Sequence, residues 1–304
     1  MTHIPVFFTP AMVAEVASFS PSAGKPIEVV RSWQNLGPAI SFHEPEPATA
    51  AQICMAHDRG YVEAVLACQI DNGFRDRSRA VANSLPYTSG AMLAAAQAAI
   101  NNRQVAVAPC SGFHHAGWDH GGGFCTFNGL MVTACALRNA GAIRRVGILD
   151  FDEHWGDGTH DIVTKLGASD WVIHYSPSVD FGAAELAEAF IEAIPDLLAR
   201  FMQCDLVLYQ AGADPHIADP LGGWMTTDQL YRRDAAVFHA LKGMRVPVAW
   251  NLAGGYQQPL RKVLDIHDNT LTACHAVYGR PDEASKIPYK AGALASNRRF
   301  IRSI

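Results

Sequence analysis

The chain has 304 residues, 49% of them hydrophobic and 17% charged. At about 150 residues per domain this length allows two domains, and the apolar content supplies a sizeable core and excludes a disordered chain. Its 24 Lys and Arg against 29 Asp and Glu leave a formal net charge of −5, which argues against a protein that lives on nucleic-acid phosphates.

No repeat, low-complexity tract or Pro/Ser-rich linker interrupts the chain, so a single domain over residues 1–304 is expected. The first basic residue is Lys25, and the early apolar run is broken by Thr9, Pro10 and Glu15, so no secretory signal is visible. The longest uncharged stretch, residues 80–102, carries Asn, Ser, Pro and Gln and lacks the composition of a membrane span. These features lead to the expectation of a cytoplasmic protein with neither membrane nor nucleic-acid partners. The seven cysteines (Cys54, Cys68, Cys110, Cys125, Cys135, Cys204 and Cys274) are odd in number and include no CxxC, the pattern of reduced thiols.

Short β-branched runs alternate with Ala- and Leu-rich segments along the chain. Strands are expected at Val105-Ala-Val-Ala, Arg145-Val-Gly-Ile-Leu-Asp150, Asp205-Leu-Val-Leu-Tyr209 and Val246-Pro-Val-Ala-Trp-Asn251. Helices are expected over residues 183–193 and 227–243, the latter opened by Thr226 with Gln229 at capping-box spacing. This rhythm implies a parallel sheet covered by helices on both faces, with ligands bound beyond the carboxyl ends of the strands.

The segments after those strands hold the chemistry. The first is Ser111-Gly-Phe-His114-His115-Ala-Gly-Trp-Asp-His120-Gly-Gly-Gly123-Phe124, and the second is Asp150-Phe-Asp152-Glu-His154-Trp-Gly-Asp157. The third is Gln210-Ala-Gly-Ala-Asp214-Pro-His216, and the fourth is Leu252-Ala-Gly-Gly-Tyr256. Alternation along an extended chain lets Asp150, Asp152 and His154 project together. Asp152 and His154 have the chemistry of neighbouring zinc ligands, and Asp214 completes an Asp₂His set that leaves a coordination position open, as catalytic zinc requires. Alone, DxDxH reads equally well as carboxylates capping the next helix; Asp214 and the His pair at neighbouring strand ends favour the metal. His114 and His115 offer an acid and a base for amide hydrolysis, with Asp150 and Asp157 available to orient them. Tyr256 follows a flexible turn, where its hydroxyl can donate to an oxyanion. His43, His57, His239, His267 and His275 are given no role. The basic C-terminal residues Lys286, Lys290, Arg298, Arg299 and Arg302 read as a solvated tail or a subunit contact, compatible with a homo-oligomer.

The blocks FHHAGWDHGGGFCTFN, ILDFDEHWGDGT, AGADPHIADPLGG and LAGGY, in that order, together with Pro47-Ala-Thr and His57…Tyr61, resemble the zinc-dependent deacetylases of the histone deacetylase superfamily, which includes acetylpolyamine amidohydrolases. The resemblance implies the arginase/deacetylase fold, a single three-layer α/β/α domain with a mainly parallel sheet. It implies Zn2+ on Asp152, His154 and Asp214. His114 and His115 are then paired with Asp150 and Asp157 for proton transfer, Tyr256 is the oxyanion donor, and Gly123 and Phe124 line the substrate tunnel. The implied substrate is an acetylated amine, either acetyl-lysine or a small acylated amine such as an acetylpolyamine. A structural monovalent cation such as K+ is also implied, held by main-chain groups of DxDxH and a Ser hydroxyl from the following strand, where this chain has Val172. No carboxylate suited to gripping a peptide backbone stands near Leu85-Pro-Tyr87-Thr88, and the segment after His174 is short, which suggests a rim built differently from that of the eukaryotic enzymes, with room for help from a second subunit. Two other readings remain: a binuclear ureohydrolase, which needs a carboxylate where this chain has His216, and a non-catalytic metal-bound acyl-ligand binding protein.

Overall fold

The computed structural model describes residues 3–279, so the basic residues from Lys286 to Arg302 lie outside the described part. Seven strands form one sheet: β1 (Ile4–Phe7), β2 (Ile40–His43), β3 (Val105–Val107), β4 (Val146–Asp150), β5 (Val172–Tyr175), β6 (Leu206–Gln210) and β7 (Val248–Asn251). Their spatial order is β2-β1-β3-β7-β6-β4-β5, and every pairing is parallel. All strands therefore end at the same edge, and the loops leaving β3, β4, β6 and β7 meet there.

Alternate strand residues feed two cores. Val105, Val107, Leu149, Val207, Tyr209, Val248 and Trp250 face α1 (Lys25–Trp33), α7 (Ala187–Leu198), α8 (Thr227–Met244) and α9 (Arg261–Tyr278). Ala106, Val146, Ile148, Leu206, Leu208 and Ala249 face the other way. They pack on α2 (Ala50–Ile53), α3 (Arg59–Leu66), α4 (Arg79–Asn102), α5 (Gly129–Asn139) and α6 (Asp157–Lys165). Burial on both faces is why these strands read as nearly continuous apolar runs.

The four strands expected from sequence lie within two residues of their observed limits. At the start of α8, Gln229 N–H donates to Thr226 Oγ1 and Thr226 N–H donates to Gln229 Oε1, the reciprocal pair its spacing predicts. The helix expected over 183–193 is displaced: residues 184–186 form a 3₁₀ turn, and α7 continues past Pro195. Burial of Phe190, Ile191, Ile194 and Leu198 on one stripe outweighs the amide hydrogen bond that Pro195 lacks. Residues 85–88 lie inside α4. Among the described residues, no helix is long and apolar enough to cross a membrane.

Candidate active site

Asp150 is the last residue of β4, and Asp152 and His154 lie in the turn beyond it rather than on extended strand. Local hydrogen bonds, not strand alternation, therefore aim them. Asp152 N–H donates to Asp150 Oδ1 at 3.4 Å, His154 N–H to Asp152 Oδ1 at 3.0 Å, and Glu153 N–H to Asp214 Oδ1 at 3.3 Å. Asp214 arrives from the loop after β6. His154 Nδ1 stands 3.3 Å from Asp152 Oδ1 and 3.5 Å from Asp214 Oδ2, and one potential ligand atom from each residue lies within 4.8 Å of the other two.

Asp214 Oδ2 is buried without a hydrogen-bond partner. Burial, and then the Asp152 charge beside it, push the Asp214 carboxyl above the usual carboxylate range. Asp152 is held well below the usual carboxylate range, because His114 and the hydrogen bond to His154 outweigh its own burial. The loop after β7 closes over the pair at Gly254, whose N–H donates to Asp152 Oδ2 at 2.8 Å and where any Cβ would overlap the Asp214 carboxylate. Two carboxylates and an imidazole around an unpartnered oxygen fit a divalent metal ion.

The histidine pair follows β3, and both rings are backed by carboxylates. His114 Nδ1 lies 2.7 Å from Asp150 Oδ2, His115 Nδ1 lies 2.6 Å from Asp157 Oδ1, and the ring centroids are 4.0 Å apart. Their surroundings differ. The His114 and Asp150 side chains are 3% and 0% exposed, whereas those of His115 and Asp157 are 22% and 62% exposed. Burial lowers the His114 pKa, but Asp150 and Asp152 outweigh it and raise it to about 9. His115 is lowered by burial and by His114, against the pull of Asp157.

Two residues given no role in the sequence reading hold this arrangement in place. Gln210, at the end of β6, donates from Nε2 to Asp150 Oδ1 at 2.8 Å and accepts the Phe113 N–H at 3.0 Å, tying the carboxylate to the chain just before His114. The buried His57 bridges both ends of the loop that follows the pair, through Gly117 O and Asn128 N, each at 2.8 Å. Neither role is legible in the sequence, because a strand-end Gln and a His have many structural uses, and the His57…Tyr61 match by itself assigns none.

Gly123 and Phe124 are consecutive residues with φ of +50° and +65°. A side chain at Gly123 would overlap the His115 ring, so the glycine is required by its neighbour as well as by its backbone. The Phe124 ring lies 5.7 Å from that of Tyr256, 5.8 Å from Phe74 and 5.3 Å from Phe19, forming an aromatic mouth. Phe19 is 65% exposed. Tyr256 is anchored by its N–H, which donates to Asp219 Oδ2 at 2.8 Å, and burial with the nearby Asp214 charge keeps its hydroxyl protonated. Behind this loop, the buried Lys25 donates to Ala253 O and Gly254 O at 2.7 and 3.3 Å. Phe19 and Lys25 carried no motif signal, and Asp219, though inside AGADPHIADPLGG, was given no role.

His216 turns away from the carboxylates. Its Nε2 lies 3.0 Å from Thr227 Oγ1 and its Nδ1 accepts the Ala218 N–H. The described residues thus offer one potential metal cluster, Asp152, His154 and Asp214.

The family model described as the histone deacetylase domain matches residues 23–176 and 168–271, a span that includes every group named above except Phe19. The chain belongs to the histone deacetylase family. This family member is 26% identical over 272 residues to a probable deacetylase of Methanothermobacter thermautotrophicus, covering 77% of this chain and 80% of that one. It is 28% identical over 173 residues to the acetylpolyamine amidohydrolase of Mycoplana ramosa, and 28% identical over 193 residues to histone deacetylase 2 of Arabidopsis thaliana. The former match covers 48% of this chain and the latter 56%, and the chain spans about half the length of each relative, 50% and 49%. The crystal structure of the HDA15 HD domain superposes with a TM-score of 0.74 at 20% identity, covering 93% of this chain and 91% of that one, which establishes the shared arginase/deacetylase fold.

Proposed function

We propose that this chain is a zinc-dependent amidohydrolase that removes an acyl group, most simply acetyl, from an acylated amine. The observation that carries the reading is the buried, unpartnered Asp214 oxygen between Asp152 and His154, set beside two carboxylate-backed histidines. Asp152, His154 and Asp214 would hold the ion. Zinc bound there supplies a Lewis acid for the amide carbonyl and lowers the pKa of water.

The remaining work belongs to the chain's own side chains. The His114/His115 pair takes the proton of the attacking water and returns one to the departing amine, with Asp150 and Asp157 fixing which nitrogen of each ring faces the substrate. The Tyr256 hydroxyl donates to the oxyanion as the carbonyl becomes tetrahedral. Gly123 and Phe124 line the approach, and the aromatic mouth packs the aliphatic stem of the amine.

The substrate class favoured is a small acylated amine rather than acetyl-lysine in a long peptide. Residues 85–88 lie within α4 and offer no carboxylate to hold a peptide backbone, and one relative is named for acetylpolyamine amidohydrolysis. The test is a panel of acetylpolyamines and acetyl-lysine peptides of increasing length, assayed on zinc-loaded protein. Release of acetate from at least one small amine, lost on chelation and restored by zinc, is expected. Full activity after complete chelation would overturn the metal assignment, and a preference that grows with peptide length would overturn the substrate class.

A further inference from the structure

The Asp150 carboxylate is enclosed by nitrogen. Oδ1 accepts from Gln210 Nε2 at 2.8 Å and from the Asp152 N–H at 3.4 Å, while Oδ2 lies 2.7 Å from His114 Nδ1. A fourth nitrogen approaches from β5, where His174 pairs in register with Ile148 of β4. The His174 side chain is 9% exposed, and its Nε2 lies 3.9 Å from Asp150 Oδ2, buried and without a hydrogen-bond partner. Gly156 keeps this approach open: a Cβ there would lie 2.5 Å from Asp150 Oδ2 and 3.0 Å from His174 Nε2.

The same turn is gripped from the opposite core. The Arg233 guanidinium, 1% exposed, donates from Nη1 to the carbonyl of Phe151 at 3.0 Å and pairs with Asp234. A cation held by DxDxH would need oxygen donors. Here β5 contributes a buried Val172 and an imidazole, the Asp150 oxygens face N–H groups, and a neighbouring carbonyl already accepts from a fixed positive charge. These side chains thus offer a monovalent cation no free oxygen.

We infer that His174 and Arg233 together take the place of the monovalent cation implied by the resemblance, and that His174 is a positioning residue that holds Asp150, and through it His114, in register. The inference rests on the amidohydrolase reading for its kinetic readout only; its stability readout is independent of any activity.

Three proteins are compared in potassium, sodium and choline chloride at equal ionic strength: the zinc-loaded wild type, His174→Ser and His174→Asn. The wild type should show the same Tm and kcat in all three salts. His174→Ser, which leaves space and a hydroxyl beside Asp150, should lose on the order of 10-fold in kcat with little change in KM and acquire a saturable rise in Tm with potassium. His174→Asn retains an N–H donor and should recover much of kcat without salt dependence. A saturable rise of wild-type Tm or kcat in potassium over choline chloride would overturn the inference, as would unchanged kcat in His174→Ser. If no acylated amine is hydrolysed by any of the three, the amidohydrolase reading fails, while the Tm comparison still decides the cation question.

Discussion

The Lys25 ammonium, at the first turn of α1, donates to the Ala253 carbonyl at 2.7 Å across 228 residues of sequence. It is wholly buried and touches the loop that ends in Tyr256 through a second carbonyl, Gly254 O. Burial lowers its pKa to about 8, and the charges of Asp214, Asp152 and Asp219 counter only part of that cost. An amine retained under this penalty is expected to hold the loop's shape. Lys25→Met should therefore lower kcat on the order of 10-fold or more with zinc content and KM little changed, since the loop shifts without losing a ligand. Unchanged kcat with a lowered Tm would show that Lys25 only stabilises the fold.

Tyr256→Phe removes the proposed oxyanion donor and leaves the Asp219 anchor, which is a backbone contact. Its kcat should fall on the order of 10²-fold or more, with zinc content unaltered. Steady-state kinetics and metal analysis on one preparation check both halves.

The two carboxylates behind the histidines should not be equivalent. Asp150 is enclosed and hydrogen-bonded on both oxygens, whereas the side chain of Asp157 is 62% exposed and reached by water. Asp150→Asn should cost on the order of 10²-fold in kcat and Asp157→Asn about 10-fold or less. Equal losses would mean that exposure does not govern how firmly each ring is held.

Gly254→Ala places a methyl group against the Asp214 carboxylate. Zinc affinity, measured by competition with a chelator, should weaken at least about 10-fold even where circular dichroism shows an intact fold. Undiminished affinity would show that the Asp152/His154/Asp214 cluster is not where the ion sits.

His57 makes acid stability testable. Its Nδ1–H donates to Gly117 O and its Nε2 accepts from the Asn128 N–H, so only the neutral ring fits, and burial lowers its pKa from 6.5 to about 4. Between these values the unfolded chain binds a proton that the folded chain refuses. The stabilisation is complete above pH 6.5 and is lost as pH falls through 4, reaching about 3 kcal/mol. Urea unfolding should show this decline, and His57→Gln should flatten it. An identical slope in the variant would assign the acid sensitivity elsewhere, for instance to the buried His267, whose pKa is also lowered by burial.

What the sequence discloses and what it hides follow from how each group is placed. DxDxH, the His pair, Asp214 and Tyr256 are legible because parallel strands deliver their carboxyl ends to one edge, so neighbouring loops can be read as a single surface. Lys25 and Gln210 are not, because their partners are backbone carbonyls and a carboxylate far away in sequence, and such contacts leave no spacing to recognise. Phe19 is obscured differently: an isolated Phe in a Ser-rich segment looks like ordinary surface until the chain folds it over Phe124. The bounds of α7 are not legible in the sequence because local propensity stops at Pro195, while the apolar stripe that overrides it is satisfied only by the packed core.

Among the described residues, β7 is the last strand made and the one that joins the others: it lies between β3 and β6, which make no contact as a pair in the sheet. A nascent chain still short of residue 248 therefore carries two half-sheets, each with an open edge where β7 will dock. His114 belongs to one half and Asp152, His154 and Asp214 to the other, so the ribosome must release most of the protein before the histidines and the carboxylates can share a centre. The same order leaves a strand-pairing surface exposed to neighbouring chains until a four-residue segment closes it.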